Sequence, residues 1–222
     1  MVICLIAIIF IYATANYFKP FEKINNLKSL YGDVKILVID NQEFRDLNKN
    51  GILDKYEDRR LAADIRSDDL LSKMTIDEKI GQMFHPPFIL KPDLFMFLYE
   101  IAIRGNKLTE TQILQENITH FNLYGNPNPN ILGRKINKLQ KIASKTRLGI
   151  PITISSDPIH EVSKGGGIAS FSVDGFSKWP SQLGFAATQD SQVVMEFAEI
   201  VKEEYLAVGI RTALHPMSDL AT

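Results

Sequence analysis

The sequence predicts an α/β fold built on a parallel sheet, and three observations carry that prediction. Helical periodicity and short apolar runs alternate from about residue 59 onward. The stretches between successive strand-like runs are long enough to hold a helix, as parallel strands require. One run, Leu148-Gly149-Ile150-Pro151-Ile152-Thr153-Ile154-Ser155-Ser156-Asp157, delivers a carboxylate just as its apolar stretch ends. Parallel-sheet proteins place their chemistry at the carboxyl ends of strands, so Asp157 is the leading candidate for a ligand contact.

The four strand-like runs are Gln82 to Phe88, Thr119 to Tyr124, Pro151 to Ser155 and Ile210 to His215. Helix signals begin near Arg59. Thr75-Ile76-Asp77-Glu78 and Thr109-Glu110-Thr111-Gln112 both match the capping box, in which a hydroxyl and a carboxylate or amide satisfy orphan amides at a helix start. From Ile131 to Lys145, Leu132, Ile136, Leu139 and Ala143 keep three-to-four spacing. From Ser191 to Val208, Val194, Phe197, Val201, Tyr205 and Val208 do the same before Gly209 ends the helix. About four βα steps result.

Composition narrows the function. With 222 residues, 45% hydrophobic content and 23% charge, the chain can bury a core. Lys+Arg 25 against Asp+Glu 26 gives a net charge of −1, without the basic footprint that nucleic acid demands. Residues 1–15 read as a signal peptide: the apolar run Met1 to Tyr12 is too short to span a bilayer, and Ala13-Thr14-Ala15 supplies the small-x-small cleavage pattern. An uncleaved anchor is the other reading, favoured by the lack of a positive amino-terminal region. Cleavage would remove Cys4, the single cysteine, and with it any thiol chemistry. The expected location is therefore exported, periplasmic or secreted.

Residues 16–58 read as a leader to the main domain, with a strand-like run at Val34 to Ile39 followed by the turn-prone Asp40-Asn41. Within it, residues 46–57 match an EF-hand-type Ca²⁺ loop. Asp46, Asn48, Asn50, Asp54 and Glu57 fill positions one, three, five, nine and twelve. Gly51 stands at six, Leu53 at eight, and Ile52 at seven, where such loops offer a main-chain carbonyl. Hard oxygen ligands suit a hard cation, so a structural Ca²⁺ is the expectation. Asn at two ligand positions lowers the ligand charge, and a purely structural turn is the alternative.

Other constellations are weaker. Asp157 is suited to accept hydrogen bonds from vicinal hydroxyls, an acceptor-only task, or else to cap a local turn. His160 adds a donor or orients the loop. His215 and Asp219 fall at and beyond the end of the next strand. Trp179 is a sugar platform or a packing residue, and His85 and His120 read as core or loop residues. The Gly165-Gly166-Gly167 cluster lacks the Lys-Ser/Thr of a P-loop. No Gly-x-Ser-x-Gly elbow, His-Glu-x-x-His pair or Gly-x-Gly-x-x-Gly after a strand is present, which sets aside serine hydrolases, zincins and dinucleotide enzymes.

Several of these motifs converge on a resemblance. Asp46 to Arg59, Leu70 to Met83, Gly149 through Asp157 and His160, Trp179-Pro180, Leu183 to Thr188, Glu203 to Ile210 and His215 to Asp219 together resemble the amino-terminal domain of glycoside hydrolase family 3, of the bacterial β-glucosidase type. The N-acetylhexosaminidase branch fits less well, since no Glu-Gly-Gly-Arg-type run follows Asp157.

The resemblance implies a (β/α)₈ barrel and a retaining mechanism with two carboxyl groups about 5 Å apart. It also implies that Asp157 holds hydroxyls of the sugar in the subsite where the bond is cleaved, with His160 and Asp219 beside it. Neither the nucleophile nor the acid/base aligns with a residue here. A whole barrel takes about 250 residues, so residues 59–222 are expected to form an incomplete TIM-type barrel of about four βα units. The missing carboxyl-terminal part of the product is then its natural partner, and a β-glucoside or short oligosaccharide its substrate. No cofactor is required for such catalysis. The expectation from another class is a non-enzymatic calcium- or carbohydrate-binding module.

Overall fold

The computed structural model describes residues 32–90, 109–125, 128–157, 159–162 and 173–215, in two compact units. The signal-like segment 1–15, the Gly165-Gly166-Gly167 cluster and Asp219 lie outside the described residues.

The first unit draws on residues up to Phe84, together with 93–119 and 140–151. It opens with a hairpin, β1 (Lys35–Ile39) against β2 (Gln42–Asp46), antiparallel with Ile39 opposite Gln42 and Lys35 opposite Asp46. Asp40 and Asn41 both take left-handed backbone, φ 52° and 59°, the two-residue turn whose twist matches paired strands. The sequence predicts the first strand and this turn but not β2. Gln42-Glu43-Phe44-Arg45-Asp46 carries one apolar residue, Phe44, which is buried beneath the guanidinium groups of Arg59 and Arg60 at 5.0 and 4.8 Å.

Helix α1 (Ala63–Lys73) starts four residues later than Arg59 and buries none of its side chains. Helix α2 (Ile76–Gly81) has the full capping box: Glu78 N donates to Thr75 Oγ1 at 3.2 Å, and Thr75 N donates to Glu78 Oε2 at 2.9 Å. Glu78 is also the acceptor of Arg147 Nε at 2.9 Å. Gln82 to Phe84, expected to begin a strand, instead extend the turns of α2, with Gln82, Met83 and Phe84 amides donating to Glu78, Ile80 and Gly81. A well-capped helix outlasts an apolar run too short to compete with it. Helix α3 (Thr109–Gln115) also belongs to this unit.

The second unit draws on residues 85–92, 120–139 and 152 onward. Its sheet has four parallel strands in chain order: β3 (Pro87–Ile89), β4 (His120–Tyr124), β5 (Thr153–Ser156) and β6 (Thr212–Ala213). Phe88 stands opposite Leu123, Phe121 opposite Ile154 and Ser156 opposite Ala213. Along β4 the alternation is strict: Phe121 and Leu123 are buried while His120, Asn122 and Tyr124 are half-buried, as a strand with one packed face requires. The four predicted runs each supply one strand of this sheet, and each observed strand is shorter than its run.

Helix α4 (Pro129–Ala143) starts two residues before its apolar stripe. Pro129 takes the first helical position, and Asn128 Oδ1 accepts from Asn130 N at 3.0 Å. Leu132, Ile136 and Leu139, spaced by four and three, are all buried. Helix α5 (Gln182–Thr188), which periodicity does not predict, is seven residues long and buries only Phe185. Helix α6 (Ser191–Val208) has the expected bounds. Asp190 caps its start through Gln192 N at 2.8 Å, and Gly209, φ 93°, ends it. A Cβ at Gly209 would meet Ile136 Cγ2 at 2.9 Å, so glycine also lets α4 and the end of α6 approach. Among the described residues no helix is long and apolar enough to cross a membrane.

Candidate functional site

Strand β5 ends at Ser156, and Asp157 is the first residue past it, partly exposed at the carboxyl edge of the sheet. Its main chain is held firmly: its carbonyl accepts from Ser156 Oγ at 2.8 Å and from Tyr205 Oη at 3.1 Å. Tyr205 comes from the buried stripe of α6. Periodicity reads it as a packing residue, and its hydroxyl does the unforeseen work. His215, two residues past β6, reaches the same hydroxyl, with Nε2 at 3.4 Å and ring centroids 5.9 Å apart. Burial lowers the His215 pKa, and the charge of Asp157 opposes that fall.

His160 lies behind this edge. It is buried, 2% exposed, with Phe176, Phe197 and Tyr205 rings around it at 5.5, 6.3 and 5.2 Å. Its Nε2 stands 2.8 Å from Glu204 Oε2. A carboxylate only accepts, so Nε2 carries the proton, and Nδ1 is a buried acceptor without a partner among the described residues. Burial lowers the His160 pKa despite the pull of Glu204. The imidazole is accordingly neutral near neutrality and orients the loop after Asp157.

Glu204 gathers the neighbouring loop as well. It accepts from Ser177 N at 3.0 Å and Ser177 Oγ at 3.0 Å, and Ser177 Oγ accepts from Trp179 Nε1 at 2.9 Å. Trp179 N donates to His160 O at 2.7 Å and Val162 N to Trp179 O at 3.1 Å, a parallel bridge. The indole stacks on Phe185 and meets Phe197 edge-on, centroids 6.2 and 5.5 Å away. Of its two expected roles, packing is the one these contacts describe. A cavity of about 60 Å³ lined by His160, Phe185, Phe197 and His215 opens beside this network.

His85 and His120, apart in sequence, are neighbours in space at 5.8 Å. His85 Nε2 lies 3.0 Å from Ser155 Oγ, which also bonds Asn122 Oδ1 at 3.0 Å. A polar cluster thus occupies β4 and β5 below Asp157.

In the first unit, the Asp46–Glu57 loop turns as its spacing dictates, with Gly51 at φ 81°. Asp46 is fully buried, its two oxygens accepting from Asn50 N and Gly51 N, each at 3.0 Å. Glu57 Oε1 accepts from Leu47 N and Asn48 N at 2.6 and 3.2 Å, and Oε2 from Asp54 N at 3.1 Å. Among the described residues, no three His, Cys, Asp or Glu side chains gather as a metal-holding group.

Asp157, past the third of four parallel strands in chain order, stands where an α/β fold of this kind presents side chains to a ligand. Residues 75–222 match the model of the glycosyl hydrolase family 3 N-terminal domain, and the chain belongs to that family. It is 46% identical over 178 residues to beta-glucosidase C of Emericella nidulans, covering 80% of this chain and 28% of the relative. It is 42% identical over 189 residues to the periplasmic beta-glucosidase/beta-xylosidase of Dickeya chrysanthemi, covering 84% of this chain and 28% of that one. A probable beta-glucosidase C of Aspergillus oryzae is 43% identical over 171 residues. The chain thus spans a little over a quarter of the length of these curated relatives. They give no support to a non-enzymatic binding module.

Proposed function

We propose that this chain is the amino-terminal portion of a retaining β-glucosidase-type glycoside hydrolase and supplies one wall of its sugar-binding subsite. The observation that carries the reading is the place of Asp157. It follows the third of four consecutive parallel strands, with its carbonyl pinned by Tyr205. An ionised carboxylate held there accepts hydrogen bonds from two adjacent hydroxyls of a pyranose. Fixing the ring in this way converts binding energy into orientation, the main contribution a non-reacting residue makes to bond cleavage. His160 positions the loop from behind.

The two carboxyl groups that break the glycosidic bond belong, in this reading, to polypeptide outside these 222 residues. The four strands are the first half of a barrel. Support comes from their unbroken chain order and from an apolar groove of about 440 Å³ along α6 and β6, lined by Val194, Phe197, Val201, Tyr205 and Ile210. Closed barrels leave no such side uncovered. The substrate is a β-glucoside or short oligosaccharide, met after export through the amino-terminal apolar segment. The reading is tested by incubating the chain with an aryl β-glucoside. No aglycone is released if the reading holds, and turnover by these residues alone overturns it.

A further inference from the structure

Charge decides what the Asp46–Glu57 loop needs. In a loop that wraps Ca²⁺, side-chain oxygens turn inward and the ion supplies the charge that offsets them. Here Asp54 Oδ1, at position nine, lies 3.2 Å from Lys73 Nζ, and that ammonium is also 2.7 Å from Asp69 Oδ1. Asp54 Oδ2 accepts from the side-chain amides of Asn48 and Asn50 at 2.6 and 2.8 Å. These two residues therefore turn donors toward position nine, while their own oxygens accept from Asn50 N and Ile52 N. The oxygens that the spacing directs at a cation are already engaged by amides and by a lysine.

Lys73 is not part of the loop. It stands in the last turn of α1, the helix that buries no side chain. Polar contacts tie α1 to this loop: Tyr56 N donates to Asp69 Oδ2 at 3.1 Å, Arg66 Nε donates to Tyr56 O at 3.2 Å, and Lys73 joins Asp54; Arg147 Nη2 adds a bond from outside the loop to Lys73 O at 2.8 Å. Loop and helix thus complete each other, one supplying carboxylate and peptide groups, the other a cation. We infer that the loop is a calcium-type pattern closed by a lysine: Lys73 supplies the positive charge, clamps α1, and lets the loop hold its fold with no divalent ion.

Thermal unfolding of the whole chain, followed by circular dichroism in millimolar CaCl₂ or in EGTA, tests this. A site well saturated by calcium would raise the melting temperature by several degrees; no shift is expected. Lys73→Met is expected to melt about 2–4 °C lower and to recover with CaCl₂, because position nine has lost its counter-charge, whereas Lys73→Arg behaves as wild type. A calcium-dependent rise in the wild type overturns the inference, as does a Lys73→Met protein that melts like wild type or ignores calcium. Should Lys73→Met fail to fold, calorimetric titration of the wild type with CaCl₂ decides alone: absence of saturable heat supports the inference and a saturable isotherm refutes it.

Discussion

Asp157 and His160 are three residues apart, yet the structure gives them opposite environments, one at the open edge of the sheet and one sealed beneath α6. The sealed histidine makes stability depend on pH. Its pKa lies below the usual 6.5, with burial as the leading cause. The unfolded chain therefore takes up a proton first as the solution is acidified, and the contribution, complete above pH 6.5, is lost as pH falls through the lowered folded value. His120 and His215 shift the same way, also through burial. Melting temperature is expected to fall between pH 7.5 and 5, and His160→Asn to flatten that slope; an unchanged slope contradicts a neutral buried His160. Asp157 was legible because a strand pattern ends on it. Glu204 and Tyr205 were not, because in a helix stripe a tyrosine reads as apolar and a flanking glutamate as solvated. Only the fold reveals that they grip the loop.

Among the elements, those with their own local determinants were the most legible. Helix α6 has a capping aspartate, a continuous stripe and a terminal glycine, and its bounds match expectation. Helix α2 has a reciprocal capping box, and breaking it offers a direct check. Thr75→Ala removes the acceptor for Glu78 N and the hydroxyl that Glu78 meets. It should cost about 1 kcal/mol, seen as a melting point about 2–4 °C lower; no loss would mean that Arg147 and the main-chain amide of residue 75 suffice to fix Glu78. Strand β2 and helix α5 escaped the sequence for a shared physical reason. Each is short and contributes one buried apolar residue, Phe44 or Phe185, and a single apolar side chain has no period. What specifies them is tertiary: two arginines over Phe44, and the Trp179–Phe197 aromatic cluster around Phe185.

At the scale of the molecule, the alternation of apolar runs and helical stripes dictated a parallel sheet, and a parallel sheet is observed; the chain order of its strands is not in the alternation. Barrel closure is a different matter, since it depends on what pairs with β6 and covers α6. Val194, Met195 and Leu206 on α6 and Leu214 past β6 are exposed, and in the proposed half barrel they lie on its open side. Size-exclusion chromatography with light scattering is expected to find dimers or larger assemblies; a well-behaved monomer would argue against an open half barrel. The account as a whole turns on the sugar contact. Its most direct measurement is the dissociation constant for glucose, by nuclear magnetic resonance titration, of the wild-type chain beside Asp157→Asn. A charged hydrogen-bond acceptor contributes about 1.5–3 kcal/mol, so the substitution should weaken binding roughly 10- to 100-fold. Equal constants for the two proteins would contradict the account.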